Sequence, residues 1–310
     1  MKTTESMIEA GILGLRRVLA DNACSQLVIV VDPALGDPFQ GHAALLGNVT
    51  VQRLRIPHRD LSAEMQPYLI FIDDDVRQER VVNLSVAISA REVAQGQGEQ
   101  RHPRSICGWL LGAPGSLLEP ASLVAHLSSG GAMHSKARRD VLFRYYDPRV
   151  MAYLPAIFTA QQMAHLFGPV GCWQFFDERG YLQTIQRPEL PVVAELQPIS
   201  SRQLASLDRL GRVALLQRMS MDWDAPQLPV SADRLDAELA RAEDLGLIAQ
   251  DDCLVFATCA FTLGPSFINQ PMMLDILSKS VGKHGAFAQR VAELDEHVLQ
   301  ALASQAIPSR

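Results

Sequence analysis

Cysteine is scarce in this sequence, and its spacing excludes a disulfide framework. The 310 residues include five cysteines, an odd number with no Cys-x-x-Cys pair, which is typical of a reducing compartment. Long apolar runs are lacking as well, since the longest uncharged one, Leu254–Leu263, has ten residues, about half of a membrane span. The amino terminus shows no signal-peptide pattern. The sequence therefore predicts a cytoplasmic protein with no membrane partner.

The motifs of common enzyme classes are also missing. There is no Gly-x-Ser-x-Gly nucleophile motif, no Walker-type phosphate loop and no His-Glu-x-x-His zinc motif. Gly96-Gln97-Gly98 lacks the third glycine of a dinucleotide fingerprint, because Arg101 stands at that position. We therefore predict a protein with no enzymatic activity, no metal and no cofactor.

Basic residues are fewer than acidic ones, and the difference lies in one part of the chain. The net charge is −6. Residues 1–187 carry 18 basic and 18 acidic side chains, whereas residues 188–310 carry 10 and 16. An acidic region gives no electrostatic reason to bind nucleic acid, so we expect no nucleic-acid partner. Such a region is typical of a solvated helical surface, and it could also attract a basic protein.

The pattern of the sequence changes near residue 188. Before it, short apolar runs alternate with helical patterns, and after three closely spaced prolines nearly every segment has helical periodicity. We predict an α+β fold: a mixed-sheet lobe with flanking helices (1–187), a proline-rich linker (188–198) and an all-α lobe (199–310). In the first lobe, strands are predicted at 27–31, 49–56, 68–72, 106–111, 141–146, 172–176 and 181–185.

Local signals mark the element boundaries between residues 139 and 186. Asp147 can cap a helix that begins at Pro148, and loss of this cap is predicted to cost about 1 kcal/mol. The run from Thr159 to Gln162 has a capping-box pattern for the next helix, which Gly168-Pro169 should end. Asp177 to Gly180 then predicts a hairpin turn between two strands.

Acidic residues follow two of the predicted strands. Asp32 follows the first, and Asp73-Asp74-Asp75 follows the strand at 68–72. Carboxylates at the carboxyl ends of strands can hold Mg²⁺ in α/β enzymes, so one hypothesis is a metal-dependent hydrolase or phosphatase that uses these four residues. The alternative interpretation of both places is a solvated turn.

One block of sequence resembles a known family. Phe143-Arg144-Tyr145-Tyr146-Asp147-Pro148-Arg149-Val150, followed by Phe167-Gly168-Pro169-Val170 and Trp173, is similar to the signature of the family known as domain of unknown function 4123. Cys107-Gly108-Trp109-Leu110-Leu111 resembles its Trp-Gly strand with those two residues reversed. The resemblance covers roughly residues 24–176.

Membership of that family would imply a function without catalysis. Its members are adaptor chaperones of bacterial type VI secretion, which carry toxic effectors to the spike protein VgrG. The resemblance therefore implies two partners, a cognate effector and VgrG, and a loading function in the cytoplasm.

The signature block itself has two interpretations. In one, Arg144, Tyr145, Tyr146 and Arg149 form a surface that binds the partner. In the other, the block is internal: Asp147 and Pro148 begin a helix, and the arginines pair with nearby carboxylates. Gly168 and Pro169 belong to the structural part of the signature in either case.

Overall fold

The computed structural model divides the chain into two compact units, residues 1–200 (unit 1) and 201–310 (unit 2). Among the described residues, no helix combines the length and apolar character that crossing a bilayer requires. The linker predicted at 188–198 stays a prediction, because most of its residues lie outside the part of the chain that the structure describes. The structure describes residues 3–21, 26–34, 36–47, 49–59, 61–73, 79–95, 104–130, 142–190, 198–220 and 230–305.

Unit 1 is built on a six-stranded sheet. Its strands are β1 (Gln26–Val31), β2 (Thr50–Arg53), β3 (Tyr68–Asp73), β4 (Ile106–Gly112), β5 (Val170–Phe176) and β6 (Leu182–Gln186). They lie in the order β2-β3-β1-β4-β5-β6, and all five neighbouring pairs are antiparallel. The α+β class is thus confirmed, but the prediction of a mixed sheet was wrong.

Burial of both sheet faces explains that error. A continuous apolar run such as Leu27–Val31 is typical of a parallel strand that is buried on both faces. Here an antiparallel strand is buried in the same way. One face packs on α1 (Thr4–Asp21) and α3 (Glu79–Gln95) in a single apolar core. On the other face Trp173 of β5 contacts Tyr145 and Phe167. The remaining helices of unit 1 are α2 (Ala43–Leu46), α4 (Pro120–Gly130), α5 (Pro148–Met151), α6 (Leu154–Ile157) and α7 (Ala160–Phe167).

Unit 2 contains helices only, within the residues that are described. They are α8 (Ser201–Met219), α9 (Ala232–Asp244), α10 (Gln250–Thr262), α11 (Pro271–Ser280), α12 (Ala286–Ala292) and α13 (Glu296–Gln305). The apolar run that begins at Leu254 lies in α10, where Phe256 packs on Phe267 and Phe287. The periodic stretch from Phe287 to Leu302 forms two helices, α12 and α13, with a break at residues 293–295.

A buried carboxylate in α10 caps a different helix. Asp252 is completely buried and accepts hydrogen bonds from the backbone N–H groups of Gly285 (3.0 Å) and Ala288 (2.8 Å) at the start of α12. Helix N-termini leave such donors without partners inside the helix. Asp252 therefore fixes the packing of α12 against α10.

Removal of this carboxylate should destabilise unit 2. We expect Asp252→Ala to lower the free energy of unfolding by about 2 kcal/mol, because two partly buried N–H groups lose their acceptor. Urea denaturation of the full chain measures this loss. The matched control is Asp251→Ala, an exposed neighbour in the same first turn; equal losses in the two variants would contradict the capping argument.

Candidate functional site

The signature block forms a turn that leads into a short helix, not a strand. Residues 142–144 are irregular, Tyr145 and Tyr146 form a turn, and α5 begins at Pro148. The strand predicted at 141–146 was therefore wrong over its described part, 142–146. We call residues 143–149 together with Asp32 the signature corner.

Asp147 organises the second half of the signature corner. Its Oδ1 accepts from the backbone N–H of Arg149 (2.9 Å), which confirms the predicted cap with Pro148 at the first helical position. The same carboxylate accepts from Nε (2.9 Å) and NH2 (2.6 Å) of Arg149. Burial raises the pKa of Asp147, but the hydrogen bonds and charge of Arg149 outweigh it and hold the pKa below its ordinary value. Asp147 is thus both a cap and half of an ion pair.

Arg144 joins the signature corner to the end of β1. Its NH2 group donates to Oδ2 of Asp32, a contact between residues 112 positions apart. Asp32 is buried, and its Oδ1 also accepts from the backbone N–H of Ala34 at 2.9 Å. Burial lowers the pKa of Arg144, but Asp32 and Tyr146 raise it, and the net result lies above its ordinary value. The pair therefore ties the corner to the central strand.

The two tyrosines of the signature are interior residues. Both are buried. The hydroxyl of Tyr145 donates to the backbone carbonyl of Leu127 at 2.7 Å, and its ring packs edge-on against Trp173. The Tyr146 ring lies 6.0 Å from the guanidinium of Arg144. Because both rings are buried, the structure favours the internal interpretation for Tyr145 and Tyr146, and binding of a partner by these two residues stays a prediction.

A third arginine, Arg104, lies close to the signature corner. Arg104, just before β4, is buried, and burial lowers its pKa. The charges of Glu178, Arg149, Glu92 and Asp147 also act on that pKa. Arg104 lies close to the corner, because the backbone N–H of Asp32 donates to the carbonyl of its neighbour Ser105 at 2.8 Å. Within the described residues, the NH1 nitrogen of Arg104 and the Nε of Arg144 are buried without a hydrogen-bond partner. The corner therefore contains two ion pairs, Arg144 with Asp32 and Arg149 with Asp147, and Arg104 lies buried close by.

Gly168 and Pro169 end α7, as predicted. The helix begins with the predicted capping box between Thr159 and Gln162. Gly168 has a φ of 54°, and a Cβ atom there would lie 2.7 Å from Cδ2 of the His126 ring. That ring forms a 3.0 Å hydrogen bond to the carbonyl of Leu166 through Nε2. Gly168 is therefore required by the packing of α4 on α7, whereas Pro169 is exposed.

Two of the proposed metal ligands, Asp32 and Asp73, lie far apart. Gln26 pairs with Asp73 and Val31 pairs with Tyr68 in the antiparallel register of β1 and β3. Asp32 therefore lies at the opposite end of the strand pair from Asp73, at a separation of about 20 Å. Asp74 and Asp75 lie outside the described residues. Asp32 and Asp73 are therefore too far apart to bind one metal ion together, and the hydrolase hypothesis that uses all four residues stays a prediction.

The sequence identified the residues of the signature corner, but it did not predict most of the contacts that those residues make. The cap by Asp147 has a local signal, because its acceptor and donor lie two positions apart. The pairing of Arg144 with Asp32 has none, since the two are distant in sequence. The burial of Arg104 was also missed, and the only available signal was its position directly before an apolar strand.

Comparison with known proteins identifies a family domain. Residues 30–165 match the family described as "Domain of unknown function (DUF4123)". The match lies inside the range 24–176 over which the resemblance was recognised, and it contains the whole signature corner. No curated protein and no solved structure matches the chain.

Proposed function

Because residues 30–165 form a DUF4123 domain, we propose that the protein is a non-catalytic adaptor of type VI secretion. In this proposal it binds a toxic effector in the cytoplasm and promotes its loading onto the VgrG spike protein. The observation that carries the proposal is the family match, and the adaptor function is what the resemblance implies for that family.

The geometry of the corner suits a binding protein. The ion pair of Arg144 with Asp32 holds the turn against the end of β1, and the pair of Arg149 with Asp147 orders the turn itself. A turn that is already ordered loses little conformational entropy when a partner binds. Both arginines remain partly exposed, which supports the partner-binding interpretation for these two residues.

The acidic carboxyl-terminal region supports a second contact. Residues 188–310 carry the whole net charge of −6, and an acidic surface attracts basic protein surfaces and speeds their association. We propose that this region contributes to binding of the effector or of VgrG. Its contribution should weaken as salt is added, since screening shortens the range of surface charge.

Co-purification with a candidate effector tests the proposal. The candidates are the toxins encoded beside this chain, each produced as a catalytically inactive variant. The tagged full chain should retain one of them on an affinity resin and form a complex of defined stoichiometry in light scattering. A hydrolase would instead turn over a generic phosphate ester with added Mg²⁺ or Mn²⁺; that activity, together with failure to retain every neighbouring toxin, would contradict the proposal.

A further inference from the structure

Two arginines of the signature corner are fixed in place and still reach the surface. The side chain of Arg144 is 32 % exposed while its partner Asp32 is 1 % exposed, and the values for Arg149 and Asp147 are 26 % and 7 %. In each pair the carboxylate is interior and the arginine side chain is partly exposed. The carboxylates therefore act as anchors that orient the arginines.

Each anchored guanidinium keeps donors for a second acceptor. A guanidinium has five N–H groups in a planar fork. Asp147 engages Nε and NH2 of Arg149, and Asp32 engages NH2 of Arg144, so the terminal NH1 group of each arginine lies outside its ion pair. Both arginines belong to one ordered turn, which the backbone N–H of Asp147 closes by donating to the carbonyl of Arg144 at 3.0 Å.

We propose that Arg144 and Arg149 together bind neighbouring acidic side chains of the partner protein, with their outward N–H groups donating to its carboxylates. The proposal deepens the adaptor function and rests on it for the identity of the partner. The two parallel N–H groups of a guanidinium match the two oxygens of a carboxylate, so the pair can form two hydrogen bonds at once. An arginine that is already held in one rotamer also loses less side-chain entropy on binding than a free one.

The surrounding charges decide how selective this surface is. Arg104 is buried before β4, and Glu178 lies at the same end of the sheet, after β5, because the antiparallel register pairs Trp109 with Gln174. The charge of Glu178 acts on the pKa of both Arg104 and Arg149. Glu178 therefore opposes an anionic ligand. The site selects carboxylates through directed hydrogen bonds more than through an excess of positive charge.

NMR titration of the full-length chain tests this surface without an effector. The probe is a short N-acetylated, C-amidated glutamate peptide, and the observed signals are the arginine Nε–Hε resonances. We expect those of Arg144 and Arg149 to shift to saturation. A glutamine peptide of equal length should give no shift, and a glutamine peptide with a free C-terminal carboxylate should bind at least tenfold more weakly.

Charge-neutral double variants locate the binding without leaving a buried charge unpaired. R144Q/D32N and R149Q/D147N each remove a guanidinium together with its anchor, and asparagine can still cap the backbone N–H groups. Each should weaken binding of the glutamate peptide about tenfold. Glu178→Gln should tighten it about twofold, because a like charge is removed. Arg16→Gln is the matched control, since Arg16 also pairs with a carboxylate, Glu79, at the surface of unit 1.

The outcomes separate this inference from the adaptor proposal. Wild-type affinity for the glutamate peptide in both double variants, with unchanged melting temperatures, would overturn the inference even if an effector is retained on the resin. Stronger binding of the free C-terminus would overturn the assignment to acidic side chains. Conversely, binding of the glutamate peptide at the corner with no effector retained on the resin would support the carboxylate-binding surface and contradict the adaptor function.

Discussion

Gly108→Ala should abolish stable folding of unit 1, with a loss of more than about 4 kcal/mol in the free energy of unfolding. Gly108 lies inside β4 with a φ of 139°, a region that residues with a side chain rarely adopt. A Cβ atom there would overlap the backbone carbonyl oxygen of Gln174 and lie 2.5 Å from Nε1 of Trp173. Both neighbours belong to β5, so the sheet itself would have to open. Soluble yield and urea denaturation measure the effect.

A second glycine separates this collision from backbone strain alone. Gly115 also has a positive φ, 73°, but no atom lies within 4 Å of a Cβ built there. Gly115→Ala should therefore cost only the strain, about 1 kcal/mol. Similar losses of unfolding free energy in the two variants would contradict the close approach of β4 and β5 at Gly108.

Asp147→Ala should lower the free energy of unfolding by about 3 kcal/mol. Loss of a cap alone costs about 1 kcal/mol. The structure raises this figure, because Asp147 is buried and its removal also leaves Arg149 without its carboxylate. Breaking a fully buried pair costs about 3–5 kcal/mol, and the partial exposure of Arg149 places the expected loss at the lower end. Thermal and urea denaturation of the full chain measure it.

A double-mutant cycle with Arg149→Met isolates the ion pair. The double variant Asp147→Ala/Arg149→Met should lose less stability than the two single losses combined, because it leaves no unpaired charge behind. A loss near 1 kcal/mol for Asp147→Ala, with additive effects in the cycle, would mean that the residue is only a cap.

Local signals in the sequence predicted local structure well. The cap at Asp147, the capping box from Thr159 to Gln162 and the turn at Asp177 each depend on hydrogen bonds between residues a few positions apart. Such contacts can be inferred from residue type and spacing alone. All three are confirmed.

Predictions that depended on distant contacts succeeded less often. The aromatic run around Tyr145 and Tyr146 has the composition of a strand, but both side chains enter the interior from a turn, which alternation along a strand would not allow. Strand direction was also misjudged, because burial on both faces is the same signal in parallel and antiparallel sheets. The contact of Arg144 with Asp32 joins residues 112 positions apart, which no local pattern encodes.

Reconstitution of loading from purified components tests the central claim most directly. VgrG is immobilised, an inactive variant of the neighbouring toxin is added with or without this chain, and the toxin retained after washing is quantified. The adaptor function predicts that retention depends on the chain and saturates as its concentration rises. Retention of the toxin at the same level without the chain, or none in its presence, would contradict it.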